Sequence, residues 1–88
     1  MLYILLDGRR FASREAGHRY LCQKLGAFRY HSPNLDALHD ALTSLPPCRI
    51  RLRHAATLRK SADGYGSRIL QVLADSAREN PGIDLLLS

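Results

Sequence analysis

Leu2-Tyr3-Ile4-Leu5-Leu6 is an unbroken apolar run closed by Asp7-Gly8, which predicts a short buried strand. Ser13 then stands where it caps a helix over Arg14 to Leu25, with Glu15 in the positive first turn, Arg19 one turn beyond it, and Gly26 as the stop. His18, Leu21, Cys22 and Leu25 share the inner stripe of that helix, and a lone histidine in such a stripe reads as a hydrogen-bonded core residue rather than a ligand. After a connection ending in Ser32-Pro33-Asn34, a second helix runs to about Thr43. At 100° per residue Leu35, Leu38, Ala41 and Leu42 gather on one side of it and Asp36, His39, Asp40 and Thr43 on the other.

Pro46-Pro47 breaks the chain, and Cys48-Arg49-Ile50-Arg51-Leu52-Arg53 alternates with period two, a strand with one wet side from which all three arginines leave. A short polar helical turn around Ala55 to Lys60, a hinge at Gly64-Tyr65-Gly66 and a helix from about Ser67 to Glu79 follow, the last with an inner stripe of Ile69, Leu70, Val72, Leu73 and Ala77. Asn80-Pro81-Gly82 ends it, and Ile83-Asp84-Leu85-Leu86-Leu87 is the final strand. Strands separated by helices predict an α/β fold with a parallel sheet, and the alternating middle strand predicts two layers, one face of the sheet being left uncovered.

The 88 residues suit a single domain spanning 1–88, and 45% apolar with 24% charged residues is the composition of an ordinary folded chain. Cys22 and Cys48 lack zinc-ligand spacing and read as free, buried thiols. The apolar N-terminal run is too short for a signal peptide or a spanning helix, so the expected location is the cytoplasm, with no membrane association. No phosphate loop, nucleophile elbow or zinc-protease pair is present, so the chain is not expected to be an enzyme or to carry a cofactor or metal. Asp36 and Asp40 share one face one turn apart, and carboxylates so placed on an exposed helix are solvated or face a partner far more often than they hold a metal.

Thirteen Lys+Arg against eight Asp+Glu leave a net charge of +5. Arg49, Arg51 and Arg53 stand in one row, suited either to tracking phosphates or to keeping a sheet face solvated. No aromatic residue interleaves them along the strand, so the solvated face is favoured and direct nucleic-acid binding is not expected; a small RNA-binding or regulatory protein using these arginines is the competing reading. The placement of charge says more than its sum. Residues 30–48 hold two Asp and no Lys or Arg, so a basic chain keeps one acidic, aromatic-flanked surface suited to a cationic, concave partner.

At this segment the sequence resembles the barstar family of small ribonuclease inhibitors. Asn34-Leu35-Asp36-Ala37-Leu38-His39-Asp40-Ala41-Leu42-Thr43 looks like the family's N-L-D-A-L-W-D-x-L-T signature, preceded by Tyr30-His31 where the family often has an aromatic pair. Ile69-Leu70-Gln71-Val72-Leu73 and Ile83-Asp84-Leu85-Leu86-Leu87-Ser88 look like its last helix and strand, with Gly8 and His18 in similar places near the start. The resemblance implies a three-stranded parallel sheet packed by about four helices. It also implies inhibition of a secreted microbial ribonuclease or ribonuclease-type toxin in the cell that makes it, as an immunity protein binding one-to-one and monomeric when free. By the same resemblance Asp40 is the central carboxylate entering the phosphate pocket and Asp36 its neighbour. Tyr30 packs on the catalytic rim, His31 precedes the helix, Asn34 and Thr43 supply polar contacts, and Asp75 and Glu79 add acidic groups from the last helix. The chain departs from the family in carrying His39 for the usual Trp, Ser32-Pro33 for a Gly-containing turn, and a net positive charge.

Overall fold

The computed structural model describes residues 2–28, Tyr30 and 33–88. Strands β1 (Leu2–Asp7), β2 (Cys48–Arg53) and β3 (Ile83–Leu87) form one sheet in the order β1-β2-β3, all parallel, with Leu2 opposite Cys48 and Cys48 opposite Ile83. Parallel neighbours cannot be joined by a hairpin, and the crossovers are helical: α1 (Arg14–Leu25) and α2 (Leu35–Thr43) between the first two strands, α3 (Ala55–Lys60) and α4 (Tyr65–Glu79) between the last two. The α/β class, the three strands and the four helices agree with the sequence pattern, and all three strand ranges follow the hydrophobic runs.

The two layers are a direct consequence of strand alternation. Ile4, Leu6, Cys48, Ile50, Leu52 and Ile83 point to the helices and are buried, while Tyr3, Leu5, Arg49, Arg51, Arg53, Asp84 and Leu86 point to the uncovered side. Leu21 and Leu25 of α1, Leu38 and Leu42 of α2, Leu58 of α3, and Ile69 and Leu73 of α4 complete the core. Phe11 packs edge-on against Tyr20, whose hydroxyl accepts a hydrogen bond from the Asp7 backbone N–H at 2.9 Å. Ser76, on α4, is buried with its hydroxyl unpartnered among the described residues. Both cysteines are free, Cys48 buried as expected and Cys22 half-buried. No helix among the described residues is long and apolar enough to cross a membrane.

Gly26 stands at the C-terminal end of α1 as expected, in a right-handed conformation with φ of −58° and ψ of −35°, and the chain continues into a tighter turn over Gly26–Phe28. One local expectation is corrected. Gly64-Tyr65-Gly66 is not a hinge. Gly64 takes a left-handed φ of 92°, but Tyr65 and Gly66 already belong to the first turn of α4, and Gly66 is there because α3 passes against it.

Candidate partner-binding site

Helix α2 is set in place at both ends. Asn34 Oδ1 accepts a hydrogen bond from the Ala37 backbone N–H at 2.7 Å, closing the N-terminus as a side-chain cap. At the other end Asn80, just past α4, donates from Nδ2 to the carbonyls of Leu42 (3.2 Å), in the last turn of α2, and Leu45 (3.1 Å), just beyond it, tying the end of α2 to the end of α4. Leu38, Ala41 and Leu42 are buried beneath, so the outward direction of the remaining side chains is fixed by helical geometry.

That outward side carries Asp36 and Asp40, both exposed, and neither forms an ion pair among the described residues. Two hollows flank them. Asp40 lines a cleft of about 530 Å3 whose other walls, among the described residues, are Ala27, Phe28, Ala37, Ala41 and Ser44, so the described part of its lining beside the carboxylate is mostly apolar. Such a cleft suits the aliphatic stem and cationic head of an arginine or lysine. Asp36 borders a smaller hollow of about 310 Å3 together with Arg14, Asn34, Leu35, Tyr65 and Arg68.

The acidic groups of α4 are differently placed. His39 reaches across from α2 and its Nε2 meets Glu79 Oε2 at 2.5 Å, while Asp75 accepts from Gln71 Nε2 at 2.9 Å and pairs with Arg78. Asp75 and Glu79 therefore already have partners, whereas Asp36 and Asp40 form no ion pair among the described residues. Thr43 has spent its hydroxyl proton inside the helix, on the His39 carbonyl at 2.9 Å. Asn34 likewise has committed its oxygen to the cap, so only its amide N–H groups face outward demands.

Tyr30 corrects an expectation. It is fully buried and so has no ring surface to pack against a partner. Its hydroxyl lies 2.5 Å from His18 Nδ1, and His18 Nε2 lies 2.7 Å from the Tyr65 hydroxyl. A neutral imidazole donates through one nitrogen and accepts through the other, so this chain is satisfied without a charge. It ties α1 and α4 to the segment leading into α2, which makes Tyr30 a positioning residue. His31 lies outside the described residues. His18 is thus the hydrogen-bonded core histidine that its position in the stripe predicted.

The two histidines are shifted in opposite directions. Burial, with Arg14 adding to it, lowers the pKa of His18 below 6.5, whereas the Glu79 hydrogen bond, helped by the charges of Glu79, Asp40 and Asp75, raises that of His39 above 6.5. The signs follow. The Glu79 interaction stabilises the fold fully below the unfolded-state pKa of His39 and fades as pH rises through the raised value; the neutral His18 costs stability as pH falls below the unfolded value toward its lowered one. NMR titration of the histidine side chains is expected to place His18 and His39 on opposite sides of 6.5, with Glu79→Gln returning only His39 toward it. Both titrating together would mean that neither contact exists in solution.

Comparison with known proteins settles the lineage. The profile of the family described as "Barstar (barnase inhibitor)" matches residues 1–87. The chain belongs to the barstar family. Among curated relatives, the barstar-family chain is 32% identical over 81 residues, 90% of its own length and 89% of the other's, to the Bacillus subtilis (strain 168) protein named "Putative ribonuclease inhibitor YrdF". Among solved structures, the Walker-type ATPase PABY2304 of Pyrococcus abyssi superposes with a TM-score of 0.62 at 18% identity; the match takes in 98% of this chain but only 33% of the ATPase, and is a likeness of fold alone. Membership of an inhibitor family agrees with the reading of the chain as a non-enzyme.

The sequence did not single out Asn80 for the site. An Asn-Pro-Gly turn signals a helix end, but that its amide caps a different helix depends on α2 and α4 lying side by side.

Proposed function

We propose that this barstar-family chain inhibits a ribonuclease by seating the Asp36 and Asp40 face of α2 in the enzyme's substrate cleft. A ribonuclease must hold phosphates and stabilise developing negative charge, so its cleft is lined with cationic groups. A carboxylate on a rigid helix satisfies those groups and offers no bond to cleave. The observation that carries the reading is the pair of exposed carboxylates, without an ion pair among the described residues, on a helix held at both ends and next to a cleft able to take a cationic side chain. Glu79, His39, Asn34 and Thr43 form the rim of that surface, and Asp75 adds charge beyond it.

The chain's net charge of +5 gives no long-range attraction to a basic enzyme, so recognition rests on the local acidic patch. We place the protein, by the same reading, in the compartment where the nuclease is made, as an immunity protein acting one-to-one, with the free protein a monomer. Titrating barnase and other small basic microbial ribonucleases with the chain is expected to reduce RNA hydrolysis linearly to an end point at one equivalent for the matching enzyme, with amide shifts concentrated in α2. Hydrolysis unaffected across the panel by excess inhibitor, or shifts confined to the sheet, would refute it.

A further inference from the structure

The uncovered face of the sheet has no part in the docking surface and has a composition of its own. Register brings Tyr3 beside Arg49, Leu5 beside Arg51 and Asp7 beside Arg53, and on the other side sets Asp84 beside Arg49 and Leu86 beside Arg51. Tyr3, Leu5 and Leu86 are 53%, 43% and 41% exposed, which is high for large apolar residues that lie inside a sheet face. The carboxylates here are already engaged. Asp84 accepts from Arg49 Nε at 2.9 Å, and Asp7 is held by the guanidinium and then the backbone N–H of Arg9, which bring its pKa down to about 2. Arg51 and Arg53 remain, with no ion pair among the described residues.

We propose that this face binds single-stranded RNA, with phosphates on Arg51 and Arg53 and a base stacked on Tyr3. Side chains two apart on a strand repeat at about 6.6 Å along one side, a spacing comparable to that of successive phosphates in an extended strand. Arg51 stands between two leucines, where a phosphate meets it away from competing carboxylates and partly out of water. A positively charged track with an aromatic platform beside it is the general recipe for sequence-tolerant binding of single strands. The arginines alone, read along the chain, lack that platform, because Tyr3 arrives from the neighbouring strand. A second copy of this chain does not fit face to face, since arginine rows would oppose one another.

The test is fluorescence anisotropy of a labelled oligouridine of about twelve nucleotides, followed across a salt series. Wild type is expected to bind with a Kd between roughly 1 and 100 µM at moderate salt. Arg51→Gln/Arg53→Gln is expected to weaken binding at least about tenfold and to flatten the plot of log K against log salt by about 1.4, two single-strand phosphate contacts. Tyr3→Ala should weaken it roughly tenfold. Asp36→Ala/Asp40→Ala should not weaken it, which keeps the result separate from the inhibitor reading. All these positions are exposed, and circular dichroism confirms that the variants are folded. The proposal is overturned by an absence of binding at about 100 µM protein. It is equally overturned by the same loss in Arg19→Gln/Lys24→Gln, which removes two charges elsewhere, or by oligoglutamate binding as tightly as RNA, which would make the face a site for acidic proteins.

Discussion

Asp40→Ala is expected to weaken the complex with the matching ribonuclease by about 2–5 kcal/mol, some thirtyfold to several thousandfold, chiefly through faster dissociation. The size follows from placement. Asp40 has no ion pair among the described residues and lies at a cleft, so under the proposed docking it meets a desolvated cation that truncation leaves unpaired. Asp36→Ala is expected to cost less, because its hollow also holds Arg14 and Arg68, and Asp75→Ala least, because Asp75 is already engaged by Arg78 and Gln71. Isothermal titration calorimetry of the three variants checks the order. An Asp40→Ala protein that binds like wild type would remove α2 from the centre of the interface.

Gly66→Ala is expected to destabilise the fold by about 3 kcal/mol or more, a large part of the 5–15 kcal/mol that holds a typical domain together. A Cβ at Gly66 would lie 1.9 Å from the Leu58 carbonyl oxygen and 3.0 Å from its carbon, and a helix backbone has no rotamer with which to move aside. Separating α3 from α4 is the available response, and it opens the core around Leu58 and Ile69. Gly26→Ala is the matched control. Its backbone is right-handed and nothing lies within 4 Å of the added methyl, so it is expected to be neutral or to stabilise by about 0.4–1 kcal/mol by restricting the unfolded chain. Urea denaturation of both variants, monitored by circular dichroism, decides it; equal midpoints would mean that the α3–α4 contact is looser than the geometry shows.

What the sequence made legible was whatever depends on near neighbours along the chain. The apolar runs delimit β1 and β3, the alternation of β2 gives both its range and its wet side, and Ser13 and Asn34 cap the helices that their positions predict. What it hid depends on partners far along the chain. Tyr30 sits alone among loop residues, with no periodicity to assign it inward; its burial follows from His18, 12 residues away, which Tyr65, a further 47 residues from that histidine, holds from the other side. Gly66 looked like a flexible joint because close helix approach leaves no mark on the local pattern. The acidic face was visible as a run without lysine or arginine, and Arg78 lies one turn from Asp75 on the same helix, but that Glu79 is already matched to His39 required the packing of α2 beside α4. Resemblance to a family supplied the expected roles, and the burial of Tyr30 is at odds with one of them.

The separation between what holds α2 and what α2 displays bears on how such a protein diverges. Its caps, Asn34 and Asn80, and its buried residues, Leu38, Ala41 and Leu42, maintain the helix, while Asp36 and Asp40 stand exposed and outside the core. Exchanges at exposed positions of this kind typically alter stability by no more than about 0.5 kcal/mol. Side chains at such positions can therefore be exchanged while the scaffold beneath stays the same, which under the proposed role lets the docking face follow a changing target.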